Sequence, residues 1–262
     1  MGKPMIRGER ILIKTQAELD RMRHAGRILA RVQSRLIELI RPGANTLELD
    51  RVAEEIIEQA GATPSFKGYK DYPATICAQV NDVVVHGIPS ADELLAEGDI
   101  FGVDLGVCYE GYHADGAFTV GVGEIDEGSR RLLEVTEQAR DLAIEQVRPG
   151  ASIRDLASTV QRHAESAGFG VVRALVGHGI GASMHEPPQI PNFVERGNEA
   201  AYGIVLEPGM TLAIEPMINA GGPDVYQERD GWTVRTADGS RSAHFEHTVA
   251  VTEEGHWILT CP

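Results

Sequence analysis

The chain has 262 residues, of which 42% are hydrophobic and 24% are charged, as is ordinary for a globular protein. Its 24 basic and 39 acidic side chains leave a net charge of −15, which argues against a DNA partner or an anionic membrane surface. The length is sufficient for one large core, so we predict a single domain over residues 1–262.

Membrane insertion and export are also disfavoured by the sequence. The chain has no apolar run of about 18 residues, and its basic N-terminal segment lacks the apolar stretch of a secretory signal. The cysteines are odd in number and widely spaced, as expected in a reducing compartment: Cys77, Cys108 and Cys261. We therefore expect a cytoplasmic protein. Because no heptad run or long apolar edge calls for a dimer, we also expect a monomer.

The first half of the chain predicts two helices followed by strands. Thr15 and Glu18 have the spacing of a capping box, and the helix that begins there ends before Pro42-Gly43. A second helix is predicted from Thr46 to Gly61. Three stretches then show the β-branched or alternating patterns of strands: residues 75–85, 100–109 and 112–122.

The second half begins with the same helical pattern. A third helix is predicted from Ser129 to the stop at Pro149-Gly150. Ser152 can cap a fourth helix that ends at Gly168, and the sequence from there to Pro262 is extended and rich in loops.

This order reflects an internal repeat. When residues 37–61 are set over residues 144–168, 10 of the 25 positions are identical. Chance at average composition would give about one or two. Two related halves predict a pseudo-twofold α+β domain, whose central cleft is the default ligand site.

Two acidic residues interrupt neighbouring apolar strands of the first half. If Glu110-Gly111 forms a two-residue hairpin, Gly106 lies opposite Asp115. The same register pairs Asp104 with Ala117, so Asp104 and Asp115 share one face within about 8 Å of each other. Because two such carboxylates repel, a divalent cation is the usual remedy.

The second half supplies two more acids at corresponding places. Glu215 ends an apolar strand, and Glu246 lies two places after His244, as Asp115 lies two places after His113. Four acids predicted to lie on strands, at matching points of a repeat, favour a shared metal site over isolated buried carboxyl groups.

Three histidines stand in segments that favour a function. Glycines surround His178, His185 follows seven residues later, and His86 ends a predicted strand. Carboxylates combined with imidazole suit Mn, Fe, Co or Zn better than Ca or Mg. The remaining histidines are expected to be structural or carry no assigned function: His24, His113, His163, His244, His247 and His256.

Together these motifs resemble those of the type I methionine aminopeptidases. The shared segments follow in order: 81–89 (NDVVVHGIP), Asp104 with Asp115, 177–181 (GHGIG), His185-Glu186, 214–216 (IEP) and 245–248 (FEHT). The resemblance implies the pita-bread fold, an α+β architecture in which two pseudo-symmetric halves surround a central dinuclear metal cleft. It also implies removal of N-terminal methionine from peptides and nascent chains, near the ribosome exit, when the next residue is small.

The same resemblance implies roles for particular residues. Two divalent ions, drawn from Co, Mn, Fe, Zn or Ni, would be held by Asp104, Asp115, His178, Glu215 and Glu246, with Asp115 and Glu246 bridging. Glu215 would also move a proton, His185 would hydrogen-bond the substrate carbonyl, and His86 would contact the scissile amide nitrogen. The methionine pocket would be lined by Phe66, Tyr69, Tyr72, Cys77, Met184 and Trp232, although an aromatic residue is commoner where Met184 stands.

Three alternatives remain for this set of motifs. Proline-directed peptidases of the same fold share the five ligands, although they normally carry a large extra N-terminal domain. A non-catalytic binding module on this fold would typically have lost metal ligands, whereas all five are present here. A structural protein would not explain four acids within predicted strands. Other hydrolytic and phosphate-binding chemistries lack their signatures, because GxSxG, HExxH and Walker A are absent.

Overall fold

The structure, a computed structural model, describes residues 11–195 and 202–261. Residues 1–10 and Pro262 lie outside the described residues. The expectation that the N-terminal segment is not a secretory signal concerns these first residues and stays a prediction. No helix among those described is both long and apolar enough to cross a membrane. Two helices precede the strands of the first half, and two more precede those of the second.

Capping side chains fix where the helices of the first half begin. α1 (Gln16–Leu39) starts after Thr15, whose backbone N–H donates to Glu18 Oε2 at 2.7 Å, as the capping box predicts. α2 (Thr46–Gln59) starts after Asn45, whose side-chain oxygen accepts a backbone N–H at 3.1 Å. Both predicted helices are confirmed.

The helices of the second half are confirmed with one shifted boundary. α3 (Glu127–Glu145) begins two residues before the predicted start at Ser129. The physical reason is the carboxylate of Asp126, which accepts the Ser129 N–H at 2.9 Å and so begins the helix two residues earlier. α4 (Ile153–Ser166) begins after Ser152, which forms the predicted cap.

The strands of the described residues form four sheets and are numbered in chain order. The first large sheet contains β1 (Thr63–Pro64), β2 (Ile76–Val80), β4 (Ile100–Tyr109) and β5 (Tyr112–Gly121), with β4 paired to the other three. The second contains β7 (Gly177–Gly179), β8 (Glu186–Ile190), β9 (Thr211–Ile214), β14 (His247–Val251) and β15 (His256–Ile258), in the order β15-β14-β9-β7-β8. One small sheet contains, in spatial order, β11 (Val225–Gln227), β12 (Val234–Thr236) and β3 (Val83–Val85). The other contains β13 (Ser242–His244), β10 (Met217–Asn219) and β6 (Gly170–Val171).

The stretch 75–85, whose β-branched residues are typical of strands, forms two strands that lie in different sheets. Asn81 adopts a left-handed backbone (φ 53°) between β2 and β3. Its side chain donates to Asp99 Oδ1 at 2.8 Å and accepts the Ile100 N–H at 3.1 Å. Asparagine tolerates this conformation, so the chain turns despite its β-branched neighbours, and β3 pairs with β12.

Matching hydrogen bonds in the two halves agree with the sequence repeat. The Gly43 N–H donates to Leu95 O at 2.7 Å, and the Gly150 N–H donates to Leu206 O at 3.0 Å. Both glycines are left-handed, with φ of 83° and 85°, a conformation that favours glycine. The two helix-turn-helix units therefore make equivalent contacts with the chain that follows them.

The long helix α1 packs against β4 and β5 and leaves the opposite face of that sheet for the acids. A Cβ on Gly116 would lie 3.1 Å from Leu29 Cδ2, so this position of β5 faces the helix. Because side chains alternate along a strand, Asp115 points away from the helix. The core between α1 and the sheet therefore lies on the face opposite the one that carries Asp104 and Asp115.

At Gly26 the backbone of α1 lies close to another segment, because a Cβ there would lie 2.0 Å from the carbonyl oxygen of Leu259. We expect Gly26→Ala to lower the free energy of unfolding by about 1–3 kcal/mol, since overpacking against backbone outweighs alanine's helix propensity. Urea denaturation measures the change. The control is Gly128→Ala in α3, where the nearest atom, Asp126 Oδ1, is 3.1 Å away. Equal unfolding midpoints for wild type and Gly26→Ala would contradict this packing.

Candidate active site

The β4–β5 hairpin places two acids on one face, in the predicted register. The turn is Glu110-Gly111, with Gly106 opposite Asp115 and Asp104 opposite Ala117. Both aspartates are buried, with 6% and 4% exposure for Asp104 and Asp115. Burying two carboxyl groups side by side costs stability unless a positive charge compensates them.

The other two acids come from the second half. Glu215 directly follows β9, as the sequence predicts. Glu246 lies in the gap between β13 and β14, so its predicted place on a strand is wrong. The backbone N–H of Glu246 donates to Ala117 O at 2.9 Å, which draws this segment away from the ladder and against β5.

His178 on β7 faces these carboxylates. Its Nε2 lies 3.5 Å from Glu215 Oε1 and 3.9 Å from Asp115 Oδ2. Its Nδ1 lies 2.8 Å from Gly179 O, and because a carbonyl only accepts, Nδ1 carries the proton. The Nε2 lone pair therefore points at carboxyl oxygens of Glu215 and Asp115, an arrangement that a metal ion makes favourable.

The electrostatics of the cluster also fit a cation. One atom each from Asp115, His178 and Glu246 lies within 4.8 Å of the others. Burial, and then the charges of the neighbouring carboxylates, raise the pKa of Asp115, Glu215 and Glu246 well above the usual range. Within the described residues, Asp104 Oδ1 and Glu246 Oε1 are buried with no hydrogen-bond partner. The donor set is thus that of a divalent transition-metal site.

One cavity of about 190 Å³ unites the residues singled out by the sequence. All thirteen line it: Phe66, Tyr69, Tyr72, Cys77, His86, Asp104, Asp115, His178, Met184, His185, Glu215, Trp232 and Glu246. The carboxylates form one end, and aromatic and sulfur side chains form much of the remainder. A small ligand with one polar and one apolar end fits such a cavity.

The apolar part of the cavity consists of two clusters joined by Phe66. Tyr72 and Cys77 pack with Trp232, whose ring lies edge-on to Tyr72 at 5.0 Å. Met184 is buried in the other cluster, with Phe66 packed against both. Met184 therefore lines the same cavity as the Tyr72 cluster but packs in a different cluster.

His86 lies beside the Tyr72 cluster in a left-handed backbone conformation (φ 59°). The following residue, Gly87, is pressed against β2, because a Cβ there would lie 2.0 Å from Ala78 O. Removal from water, and then the positive charge of Lys70, lowers the pKa of His86 to about 4. The ring is therefore neutral at pH 7 and able to accept or donate one hydrogen bond.

His185 also lines the cavity and is held by Tyr69. The two rings stack with centroids 5.3 Å apart, and His185 Nδ1 lies 3.0 Å from the Tyr69 hydroxyl. His185 also lies next to His178, with ring centroids 4.2 Å apart. Tyr69 therefore orients His185 toward the carboxylate end.

The sequence predicts only a structural role for His244, but this residue lies behind the cluster. Gln79 Nε2 donates to His244 Nδ1 at 3.2 Å, which leaves the proton on Nε2. That Nε2 lies 3.9 Å from both Glu215 Oε2 and Glu246 Oε2. The sequence offered one indication of this role. His244 precedes the acidic residue Glu246 by two places, as His113 precedes Asp115.

Comparisons with known proteins agree with this geometry. Residues 20–253 match the model of metallopeptidase family M24. The methionine aminopeptidase of Clostridium perfringens is 48% identical over 250 residues, which are 95% of this chain and 98% of that protein. The crystal structure of methionine aminopeptidase from Thermotoga maritima is 43% identical, with a TM-score of 0.93 over 97% of this chain and 100% of the other.

A more distant solved structure shares the architecture. The prolidase from Pyrococcus furiosus is 25% identical, with a TM-score of 0.74 over 95% of this chain and 65% of the prolidase chain. The predicted α+β pita-bread fold is thus confirmed, and identity is far higher to the methionine enzymes. The chain therefore belongs to metallopeptidase family M24, and within that family to the methionine aminopeptidases.

Proposed function

We propose that this chain is a metal-dependent aminopeptidase that removes methionine from the N-terminus of peptides and nascent chains when the next residue is small. The observation that best supports this proposal is a single cavity that joins a buried carboxylate–imidazole cluster to an apolar pocket. An exopeptidase needs both, because the charged terminus and the first side chain are bound together. The family and its named relatives support the same reaction.

The proposed cofactor is a pair of divalent ions, drawn from Co, Mn, Fe, Zn or Ni. Their ligands would be Asp104, Asp115, His178, Glu215 and Glu246. Such ions supply a nucleophilic water at neutral pH and stabilise charge on a carbonyl oxygen. The mixed oxygen and nitrogen donors, and the unpartnered oxygens of Asp104 and Glu246, support this set.

Three residues would move protons or orient the substrate. Glu215 is the proton shuttle, supported by a side-chain exposure of 13%, against 6% for Asp115 and 2% for Glu246. His185 donates a hydrogen bond to the substrate carbonyl oxygen, supported by its orientation through Tyr69. His86 contacts the scissile amide nitrogen, supported by its strained backbone and neutral ring.

The methionine side chain would occupy the apolar part of the cavity. Its walls are Phe66, Tyr69, Tyr72, Cys77, Met184 and Trp232. A thioether packs favourably against aromatic rings and sulfur, which supports methionine over a charged side chain. Met184 stands where an aromatic residue is commoner, and its unbranched thioether has more rotatable bonds than an aromatic side chain.

The setting would be the cytoplasm, with substrate chains met near the ribosome exit and residues 1–262 acting as one domain. Three free cysteines support a reducing compartment: Cys77, Cys108 and Cys261. A monomer is sufficient, since a single chain supplies all five proposed ligands.

A peptide panel analysed by mass spectrometry tests the function. It contains Met-Gly, Met-Leu, Leu-Gly and Ala-Pro N-termini and is incubated with Mn²⁺ or with EDTA. Metal-dependent loss of methionine from the Met-Gly peptide alone supports both the reaction and the small-residue rule. Cleavage of the Ala-Pro peptide would instead indicate a proline-directed peptidase, and no cleavage with several metals would favour a binding module.

Tyr69 should act as a positioning residue for His185. We expect Tyr69→Phe to lower kcat about 3- to 10-fold with KM nearly unchanged, because the ring stacking stays while one hydrogen bond is lost. Steady-state kinetics on a Met-Gly peptide separates the two constants. The matched control is Tyr112→Phe, whose hydroxyl bonds to Glu18 away from the cavity. A Tyr69→Phe enzyme as fast as the control would refute this role.

A further inference from the structure

Lys70 lies at the mouth of the cavity, outside the proposed metal ligands and methionine pocket. Its side chain is exposed, yet it lines the same cavity as the carboxylate cluster. Among the described residues around this cavity it is the only lysine or arginine. The cavity therefore contains the proposed metal ligands at its inner end and one lysine ammonium at its mouth.

The backbone and one aromatic ring hold Lys70 in this place. It belongs to the short 3-10 turn Tyr69–Asp71, in which Lys70 and Asp71 both have positive φ values, 49° and 70°. Residues other than glycine adopt this conformation only rarely. The ammonium lies 5.1 Å from the centroid of the Tyr69 ring, a cation–π contact. Tyr69 in turn bonds to His185, so the charge is held next to the proposed reaction centre.

The positive charge of Lys70 is available to a ligand. No carboxylate within the described ranges 11–195 and 202–261 forms an ion pair with Lys70, whereas its neighbour Lys67 is paired with Glu54. The field of Lys70 also reaches into the cavity, because after burial it is the second cause of the lowered pKa of His86. Lys67 does not line the cavity and provides a natural comparison.

The direction of the substrate follows from the proposed function, on which this inference rests. The terminal amine lies at the carboxylate end and the methionine side chain in the apolar pocket. The residues after the cleaved bond must then leave between His86 and His185, toward the mouth and Lys70. We propose that Lys70 determines substrate specificity by binding a carboxylate of the peptide. This carboxylate belongs to a residue that follows the one that becomes the new N-terminus after methionine is removed.

Peptide kinetics with Mn²⁺ tests this assignment. The side-chain arm compares C-terminally amidated Met-Gly-Asp, Met-Gly-Ser and Met-Gly-Lys. The terminal-carboxylate arm compares Met-Gly-Ser as free acid and as amide. We expect kcat/KM to favour Asp over Lys about fivefold, through KM, because exposed ion pairs are weak. In 1 M NaCl the ratio should approach one, because salt screens exposed charges.

Substitutions assign the effect to one residue. Lys70→Ala should bring the Asp-to-Lys ratio close to one, Lys70→Glu should invert it, and Lys70→Arg should keep it. The matched control Lys67→Ala should leave both the ratio and the rate on the Ser peptide unchanged. A wild-type ratio near one, or a ratio that survives in Lys70→Ala, overturns the inference. If no methionine peptide is cleaved at all, the proposed function itself has failed.

Discussion

Replacing Asp104 by asparagine is expected to abolish peptide hydrolysis while making the metal-free protein more stable. Asp104 is buried, its pKa is raised by that burial, and its Oδ1 has no partner among the described residues. Without metal, the ionised carboxyl group costs folding free energy that an asparagine of the same shape does not. With metal, the loss of one anionic ligand removes several kcal/mol of charge stabilisation, or at least about 10³-fold in kcat.

Two measurements separate these opposite effects. Urea unfolding in EDTA should show Asp104→Asn more stable than wild type by about 1–2 kcal/mol, and a Met-Gly peptide assay with Mn²⁺ should show almost no turnover. Asp92→Asn makes the same chemical change at an exposed position and should alter neither the stability in EDTA nor the turnover with Mn²⁺. Full turnover in Asp104→Asn would refute its role as a ligand. Lower stability in EDTA would refute the repulsion that we infer.

Removing metal from the wild-type protein is expected to lower the melting temperature by about 5–10 °C as well as eliminate activity. A ligand present at 100 times its Kd stabilises the native state by about 2.7 kcal/mol, and each kcal/mol moves Tm by about 2–4 °C at this size. The cause is the mutual repulsion of Asp115, Glu215 and Glu246, each of which has its pKa raised by burial and by neighbouring carboxylates.

Calorimetry with Mn²⁺ and with EDTA measures this shift. Glu246→Gln is the informative comparison, because one buried anion is removed and the response to Mn²⁺ should shrink. Asp92→Asn should respond as wild type does. An identical Tm for wild type with and without metal would contradict a carboxylate cluster organised around cations.

Local sequence rules predict the helices and the first half of the site. Capping residues and Pro-Gly turns act within one turn of helix, so α1 to α4 follow from the chain itself. The two-residue turn Glu110-Gly111 fixes the register of its hairpin, and with it the shared face of Asp104 and Asp115. Only three of the four helix starts follow the sequence to the residue, since Asp126 caps α3 earlier than expected.

The rest of the site depends on contacts between distant segments. Glu246 leaves its strand because its N–H pairs with Ala117 of the other half. His244 reaches two carboxylates of the cluster because Gln79, far away in sequence, fixes its ring. Lys70 enters the cavity through a left-handed turn that no sequence pattern singled out. Periodicity and spacing cannot reveal contacts between segments that are far apart in sequence. The family resemblance identified thirteen residues of the cavity, but not the residues that hold them in place.

Titration of the metal-stripped protein with Mn²⁺, followed by methionine release from a Met-Gly-Ser peptide, tests most directly whether the buried cluster is the centre of catalysis. We expect no release before metal is added, a rise to saturation with Mn²⁺, and renewed loss with EDTA. The same titration of Asp104→Asn should stay flat. Methionine release by the metal-stripped wild type, at the rate reached with Mn²⁺, would contradict the metal-dependent mechanism.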